Sequence, residues 1–329
     1  MDPELAAALS ATGANNSSPT YDVAMARASF DEGVIKPLKE FLKVDLPPDN
    51  AYKLNEATIP VDGGEIRVRY YVPASDEGTP TYPVLVHMHG GGWSIGSIEL
   101  DDYSLRQLCV KLRLSIANIA YRLAPEHPFP TAVYDCLAAL KWVVENTALL
   151  QADLSKGFIV GGCSSGGNLS AVLAHMARDD PFFEGRRLTG QLLREAFVCH
   201  PDAYPESLRP LFRSREEHKD TPPVTRAVFD QFRGWYNAPP RDPRFSPLLY
   251  PYHAGLPRAY IQAMELDSTR DDGVVYAEVL REAGVEVKFD LHPGVTHGFH
   301  YNWPHIKAAV KVREELEEGI KWLLNQQAQ

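Results

Sequence analysis

The sequence predicts an α/β fold built on a mainly parallel sheet. Three observations carry this expectation: short continuous apolar segments recur along the chain, segments of helical period separate them, and glycine-rich turns join the two. At 329 residues the chain has a length that α/β proteins reach around one sheet, so one large domain with an inserted segment is expected. An apolar content of 44% with 23% charged residues excludes disorder and coiled coil.

In chain order, residues 1 to about 50 read as an arm of loop and helix. The polar stretch Gly13-Ala14-Asn15-Asn16-Ser17-Ser18-Pro19 has the composition of a hinge. Val34, Leu38, Phe41 and Leu42 then share a helical face until Pro47-Pro48 ends it. From Glu65 to Val72, Ile66, Val68 and Tyr70 alternate with Arg67, Arg69 and Tyr71, the period of a half-buried strand. The runs at 84–88, 115–120, 158–160, 196–198, 259–263 and 285–289 are continuous, which suits strands covered on both faces. Helical patterns lie at 132–144, 168–177 and 274–283, the last with Gly284 as its C-cap. A final amphipathic helix carries Ile306, Val310, Leu316, Ile320, Leu323 and Leu324 on one side. One segment, from about residue 202 to 245, breaks the rhythm with prolines among Phe212, Phe229, Phe232, Trp235 and Tyr236; it reads as an insertion forming an apolar lid.

Charge and cysteine usage narrow the partners. With 33 Lys plus Arg against 43 Asp plus Glu, the net charge of −10 repels nucleic acid and anionic lipid alike. Cys109, Cys136, Cys163 and Cys199 are widely spaced, which suits free thiols in a reducing compartment better than a zinc site or a disulfide framework. The acidic start Met1-Asp2-Pro3-Glu4 lacks a secretory pattern, and no apolar run nears the ~20 residues that span a bilayer, so a cytoplasmic protein is expected.

The strongest chemical signal is Gly162-Cys163-Ser164-Ser165-Gly166-Gly167, lying between a strand and a helix. It matches G-x-S-x-G, in which a sharp strand-to-helix turn exposes the central serine at a helix N-terminus and the glycines permit the close approach. Upstream, His89-Gly90-Gly91-Gly92-Trp93 follows an apolar strand, so its bare amides are available as an oxyanion hole. His89 is expected to orient that loop rather than move protons. A serine nucleophile needs a base, and in this chain order the base comes last. His297, on the glycine-flanked loop after the strand at 285–291, satisfies that order, with His292, His300 and His305 as competitors. Asp267 follows the preceding strand and is the candidate orienter of His297, with Glu265 in reserve; Asp271 and Asp272 read as caps of the next helix.

These residues also carry a resemblance. His89-Gly90-Gly91-Gly92-Trp93, Tyr121-Arg122-Leu123-Ala124-Pro125-Glu126, Gly162 to Asn168, Asp242-Pro243-Arg244-Phe245-Ser246-Pro247-Leu248, Asp267 to Gly273 and His297-Gly298-Phe299 resemble the hormone-sensitive-lipase-like family of α/β-hydrolase carboxylesterases. The likeness spans roughly residues 50 to 325. It implies an α/β-hydrolase fold, a mostly parallel central sheet flanked by helices, with Ser164 as nucleophile, Asp267 as triad acid and His297 as base. It further implies an oxyanion hole from Gly91, Gly92 and the amide of Ser165, and a lid built from the N-terminal arm (1–50) and the insertion (202–245) on a catalytic domain of residues 51–329. Two departures stand out: Cys163 where the family has an acidic residue, and Ser268 where it has a proline after the acid.

Competing motifs fail. Gly161 to Gly166 has P-loop spacing, but Gly167 stands where the lysine belongs, and Gly90, Gly92 and Gly96 miss the dinucleotide fingerprint by one residue. His87-x-His89 and His297-x-x-His300 lie on elements with better explanations than metal binding, so neither metal nor cofactor is expected. The expectation is a serine carboxylesterase for small to medium apolar esters, with Trp93, Phe212 and Trp235 contacting substrate and activity falling below roughly pH 6 to 7 as His297 protonates. The alternatives are a lactonase, thioesterase or acyltransferase of a specialised biosynthetic pathway using the same triad, and a silent small-molecule receptor. A homodimer through an edge strand or the last helix is compatible with the sequence.

Overall fold

Eight strands form one sheet in the computed structural model, which describes residues 1–12, 22–75, 78 and 80–325. They are β1 (Tyr52–Val61), β2 (Gly64–Pro73), β3 (Val84–Met88), β4 (Ser115–Ala120), β5 (Phe158–Cys163), β6 (Gly190–Arg194), β7 (Arg258–Met264) and β8 (Val287–His292). Their order is β1-β2-β4-β3-β5-β6-β7-β8; β1–β2 and β2–β4 pair antiparallel and every other pair is parallel. Every residue of β3, β5 and β7 is buried, which is why these strands are continuous apolar runs in the sequence.

The helices are α1 (Pro3–Thr12), α2 (Val23–Phe30), α3 (Lys36–Leu42), α4 (Asp102–Leu112), α5 (Thr131–Glu145), α6 (Ser165–Asp179), α7 (Ser214–Glu217), α8 (Arg226–Tyr236), α9 (Arg270–Glu282), α10 (Phe299–Asn302) and α11 (Lys307–Leu324). Leu105 and Leu108 of α4 and Leu316, Ile320 and Leu323 of α11 cover one face of the sheet with Leu85, Ile159 and Leu192. Helices α5, α6 and α9 cover the other, through Val133, Leu140, Val172 and Val275 against Val86, Val160 and Ile261. The sheet is therefore sandwiched, and the carboxyl ends of its parallel strands are where the site forms.

Some elements differ from expectation. Strand β1 has only Tyr52 and Ile59 buried among its ten residues, so it carries no apolar signal; the Asp62-Gly63 turn, with Gly63 at φ 70°, is the cue that it pairs with β2. The apolar segment 196–198 is not strand. Strand β6 ends at Arg194, Glu195 turns the chain at φ 50°, and Ala196, Phe197 and Val198 are buried as loop. Buried Gln191 and Arg194 hid the real strand. Asp271 and Asp272 do not cap α9 with their side chains. Asp271 accepts from the amides of Arg213 and Ser214, and Asp272 accepts from the Val198 amide and from Arg215 at 2.9 Å, so both pin the loops after β6 to α9. The proposed hinge at residues 13–19 lies outside the described residues.

Candidate active site

Ser164 stands alone between β5 and α6 at φ 56°, ψ −116°, the strained conformation that the flanking glycines make possible. A Cβ on Gly166 would sit 2.0 Å from the Met88 carbonyl oxygen, so only glycine lets α6 start this close to β3. The Ser164 amide donates to the Arg194 carbonyl at 2.8 Å, and Asn168 Nδ2 donates to the carbonyls of Phe197 and Phe245 at 2.9 Å each. The elbow is thus braced from both ends of the inserted segment.

The three residues singled out for acyl chemistry converge. Ser164 Oγ lies 3.0 Å from His297 Nε2, and His297 Nδ1 lies 2.7 Å from Asp267 Oδ2. Asp267 is held in turn by the Thr269 amide at 2.8 Å and the Thr269 hydroxyl at 2.6 Å. With Nδ1–H donating to Asp267, Nε2 is left as the acceptor that a base requires. The reserve and competing residues point elsewhere. Glu265 accepts from the Gly294 amide, His292 pairs with Glu315, and His300 bonds Glu195.

Gly90, Gly91 and Gly92 edge the cavity beside Ser164. Among the described residues the amides of Gly91 and Gly92 make no backbone hydrogen bond, whereas the Gly91 carbonyl accepts from Ser94 and Ile95. Ser165 opens α6, so its amide is one of the orphan donors of a helix start. His89 stacks on Tyr121 at 4.3 Å with Nδ1 2.8 Å from the Gly90 carbonyl. Burial drives its pKa down to about 4, so it is a neutral brace for the glycine loop.

The cavity over Ser164 holds about 180 Å³ and is walled by Phe30 and Val34 from the arm and Val224, Val228, Phe229 and Phe232 from the insertion. Trp93, Phe212 and Trp235, expected to contact substrate, do not line it. Trp93 is 1% exposed and stacks on Tyr236 at 4.7 Å in the core; Phe212 stacks on Tyr204 at 3.8 Å. Trp235 lies three residues past Phe232 along α8, beyond the cavity rim. The wall is formed in part by Phe229 and Phe232, which the sequence places in an apolar lid, together with Val228 on the same side of helix α8, whose helical form the surrounding prolines conceal.

Electrostatics set the base. Burial pulls the His297 pKa down, but Asp267 and then Glu195 reverse this and raise it to about 9. Burial, then Glu195, push the Cys163 thiol well above its ordinary range, so Cys163 carries no charge beside the elbow. Cys163, Glu195 and His300 bring potential ligand atoms within 4.8 Å of one another, as do Glu195, Asp267 and His297. The carboxylates and imidazoles among them already bond one another, and the Arg194 guanidinium lies 3.3 Å from His300 Nε2, a poor setting for a cation.

The fold and the triad order define a class, and comparison with known proteins agrees. A family profile described as alpha/beta hydrolase fold matches residues 85–301. The carboxylesterase NlhH of Mycobacterium tuberculosis is 40% identical over 255 residues, 75% of each chain. The crystal structure of vibralactone cyclase superposes with a TM-score of 0.93 at 43% identity, covering 95% of this chain and 92% of that one. A hyperthermophilic esterase from the archaeon Pyrobaculum calidifontis superposes with a TM-score of 0.85 at 32% identity, covering 98% of both. The chain belongs to the α/β hydrolase family, in its hormone-sensitive-lipase-like esterase group.

Proposed function

We propose that this serine ester hydrolase cleaves carboxylic esters with a small to medium apolar acyl group, using Ser164 as nucleophile, His297 as base and Asp267 as its orienter. The continuous chain of contacts from Ser164 Oγ to His297 to Asp267, at 3.0 and 2.7 Å, carries the reading. Ser164 Oγ attacks the ester carbonyl while its proton passes to His297 Nε2, and the oxyanion takes the amides of Gly91, Gly92 and Ser165. Collapse expels the alcohol, which leaves with the proton from His297. Water, deprotonated by the same imidazole, then attacks the acyl-enzyme and releases the acid and Ser164. The arm (1–50) and the insertion (about 202–245) act as the lid on the catalytic domain of residues 51–329, a role supported by Phe30 and Phe232 both lining the cavity over Ser164. The 180 Å³ volume suits short and medium acyl groups over long lipid chains.

A second reading rests on the likeness to vibralactone cyclase. A hydroxyl on the acyl group replaces water at the acyl-enzyme, gives its proton to His297 and closes a lactone ring as Ser164 leaves. A pocket walled by aliphatic and aromatic side chains favours this by excluding water. Among the described residues no helix is long and apolar enough to cross a membrane. Four free, buried cysteines support a cytoplasmic location, and we add a homodimer as an expectation for sizing experiments.

Hydrolysis of p-nitrophenyl acetate, butyrate, octanoate and palmitate by wild type and Ser164→Ala tests the first reading. The shorter esters should turn over, and the variant should lose at least about 10³-fold. Equal rates for both proteins refute the triad. A hydroxyacyl ester that yields lactone instead of free acid selects the second reading.

A further inference from the structure

The established parts of the site leave one buried acid without a task. Glu195 is 2% exposed, follows β6 directly, and sits at φ 50°, a conformation non-glycine residues adopt rarely and usually under constraint. One of its oxygens accepts from the Gly298 amide at 2.7 Å, the residue after His297, and lies 3.6 Å from His297 Nδ1. The other lies 3.0 Å from His300 Nε2. A carboxylate at this place has no need to fill space, and an apolar residue would avoid its desolvation.

We propose that Glu195 is a positioning residue for the reaction: it clamps the loop carrying His297 through Gly298 and His300 and supplies a second negative charge, beside Asp267, to the imidazolium that forms during acyl transfer. The inference rests on the Ser164–His297–Asp267 reading and extends it. Two carboxylates then face one edge of the ring, Asp267 by direct hydrogen bond and Glu195 at longer range.

Other groups around this pair fix its charge state. His297 also meets Thr269 Oγ1 at 3.4 Å, the edge of Phe229, and more distantly the Arg215 guanidinium of α7, which opposes protonation. Glu195 meets His300, His297 and Arg194, and burial is outweighed by them, bringing its pKa down to about 2. His300 is kept neutral by burial first and then by Arg194, so its Nε2–H donates to Glu195. Arg194 is itself held by Gln262 and faces Asp101 and Tyr301. Burial holds the His292 imidazole below and the Tyr301 phenol above their ordinary ranges, both feel the Glu195 charge, and Cys163 at the elbow is an uncharged thiol. Glu195 is therefore ionised wherever His297 titrates.

The test is the pH profile of kcat and kcat/KM for p-nitrophenyl butyrate in wild type, Glu195→Gln and Glu195→Asp. Glutamine keeps an oxygen for the Gly298 amide and removes the charge. The acid limb should move down by about one pH unit, a tenfold change in the proton affinity of His297. The high-pH plateau of kcat should fall, with KM little changed, so the two profiles converge or cross on the acid limb; aspartate should restore part of the shift. A Glu195→Gln profile that superimposes on wild type overturns the proposal, as does a lower plateau with an unmoved limb, which is what a purely structural role gives. If the glutamine variant does not fold, Glu195→Asp decides: a limb displaced from the wild-type position supports the proposal, and a limb that stays in place overturns it. Loss of activity in Ser164→Ala, measured alongside, keeps a failure of this inference separate from a failure of the triad.

Discussion

At the scale of single residues, the proposed base His297 sets the expected pH response. Only neutral imidazole accepts the serine proton, so a His297 pKa raised to about 9 implies half-maximal activity near that pH, rising above it and lost as pH falls through it. Asp267 and Glu195 thus move the expected limb upward from the pH 6 to 7 of an ordinary histidine. Rate measurements from pH 5 to 10 check it, and a limb near 6.5 would contradict it. Asp267→Asn should cost about 10⁴-fold in kcat, because the amide favours the wrong tautomer of His297 while leaving the geometry intact. Ser164, His297 and Asp267 were legible in the sequence because each sits on a glycine-marked loop after an apolar strand. Glu195 was not: it follows a strand masked by Gln191 and Arg194, and no spacing reveals that it faces a ring 102 residues later. A carboxylate does stand beside Cys163, that of Glu195 in the turn after β6.

At the scale of elements the pocket wall depends on α8. Phe229 stands edge-on to His297 at 5.5 Å, and Phe232 closes against Gly92, whose Cβ would lie 2.3 Å from the phenyl ring. Phe232→Ala should therefore widen the cavity and shift preference from butyrate toward octanoate, read from kcat/KM across the ester series; an unchanged ratio would mean the acyl chain lies elsewhere. The elbow is less tolerant. Gly166→Ala drives a methyl into backbone at 2.0 Å, where nothing can yield without moving β3, and should lower stability by about 2–4 kcal/mol in urea unfolding. Helix α8 escaped the sequence reading because prolines on both sides gave it the look of irregular chain; its apolar side is short and becomes meaningful only once the cavity beneath it exists.

At the scale of the molecule, the arm and the inserted segment are tied to the rest of the chain by polar contacts. Asp272 joins Arg215, Val198 and Cys199, and Arg27 of α2 reaches Glu126 at 2.7 Å and the carbonyls of Ser94 and Ala124 at 2.9 Å each. Asp272→Ala would leave the Arg215 charge buried and unpaired, at a cost of about 3–5 kcal/mol, measured as a fall in thermal stability together with weakened substrate binding. The far end of the arm acts at a distance. Leu5 and Leu9 of α1 pack on Met264, Val295 and Phe299, the residues flanking the His297 loop, so deletion of residues 1–12 should lower kcat as well as Tm.

The chain alone specifies most of the parallel strands and the serine elbow, since buried parallel strands must be apolar on both faces and a strained elbow must have glycine beside serine. Those demands are local, and they write themselves into neighbouring residues. The composition of the pocket wall, the two aspartates that tie loops to α9, and the second carboxylate beside His297 depend on side chains brought together from distant segments. Charge and shape at such meetings follow from packing across the sheet, and no periodicity along the chain encodes them.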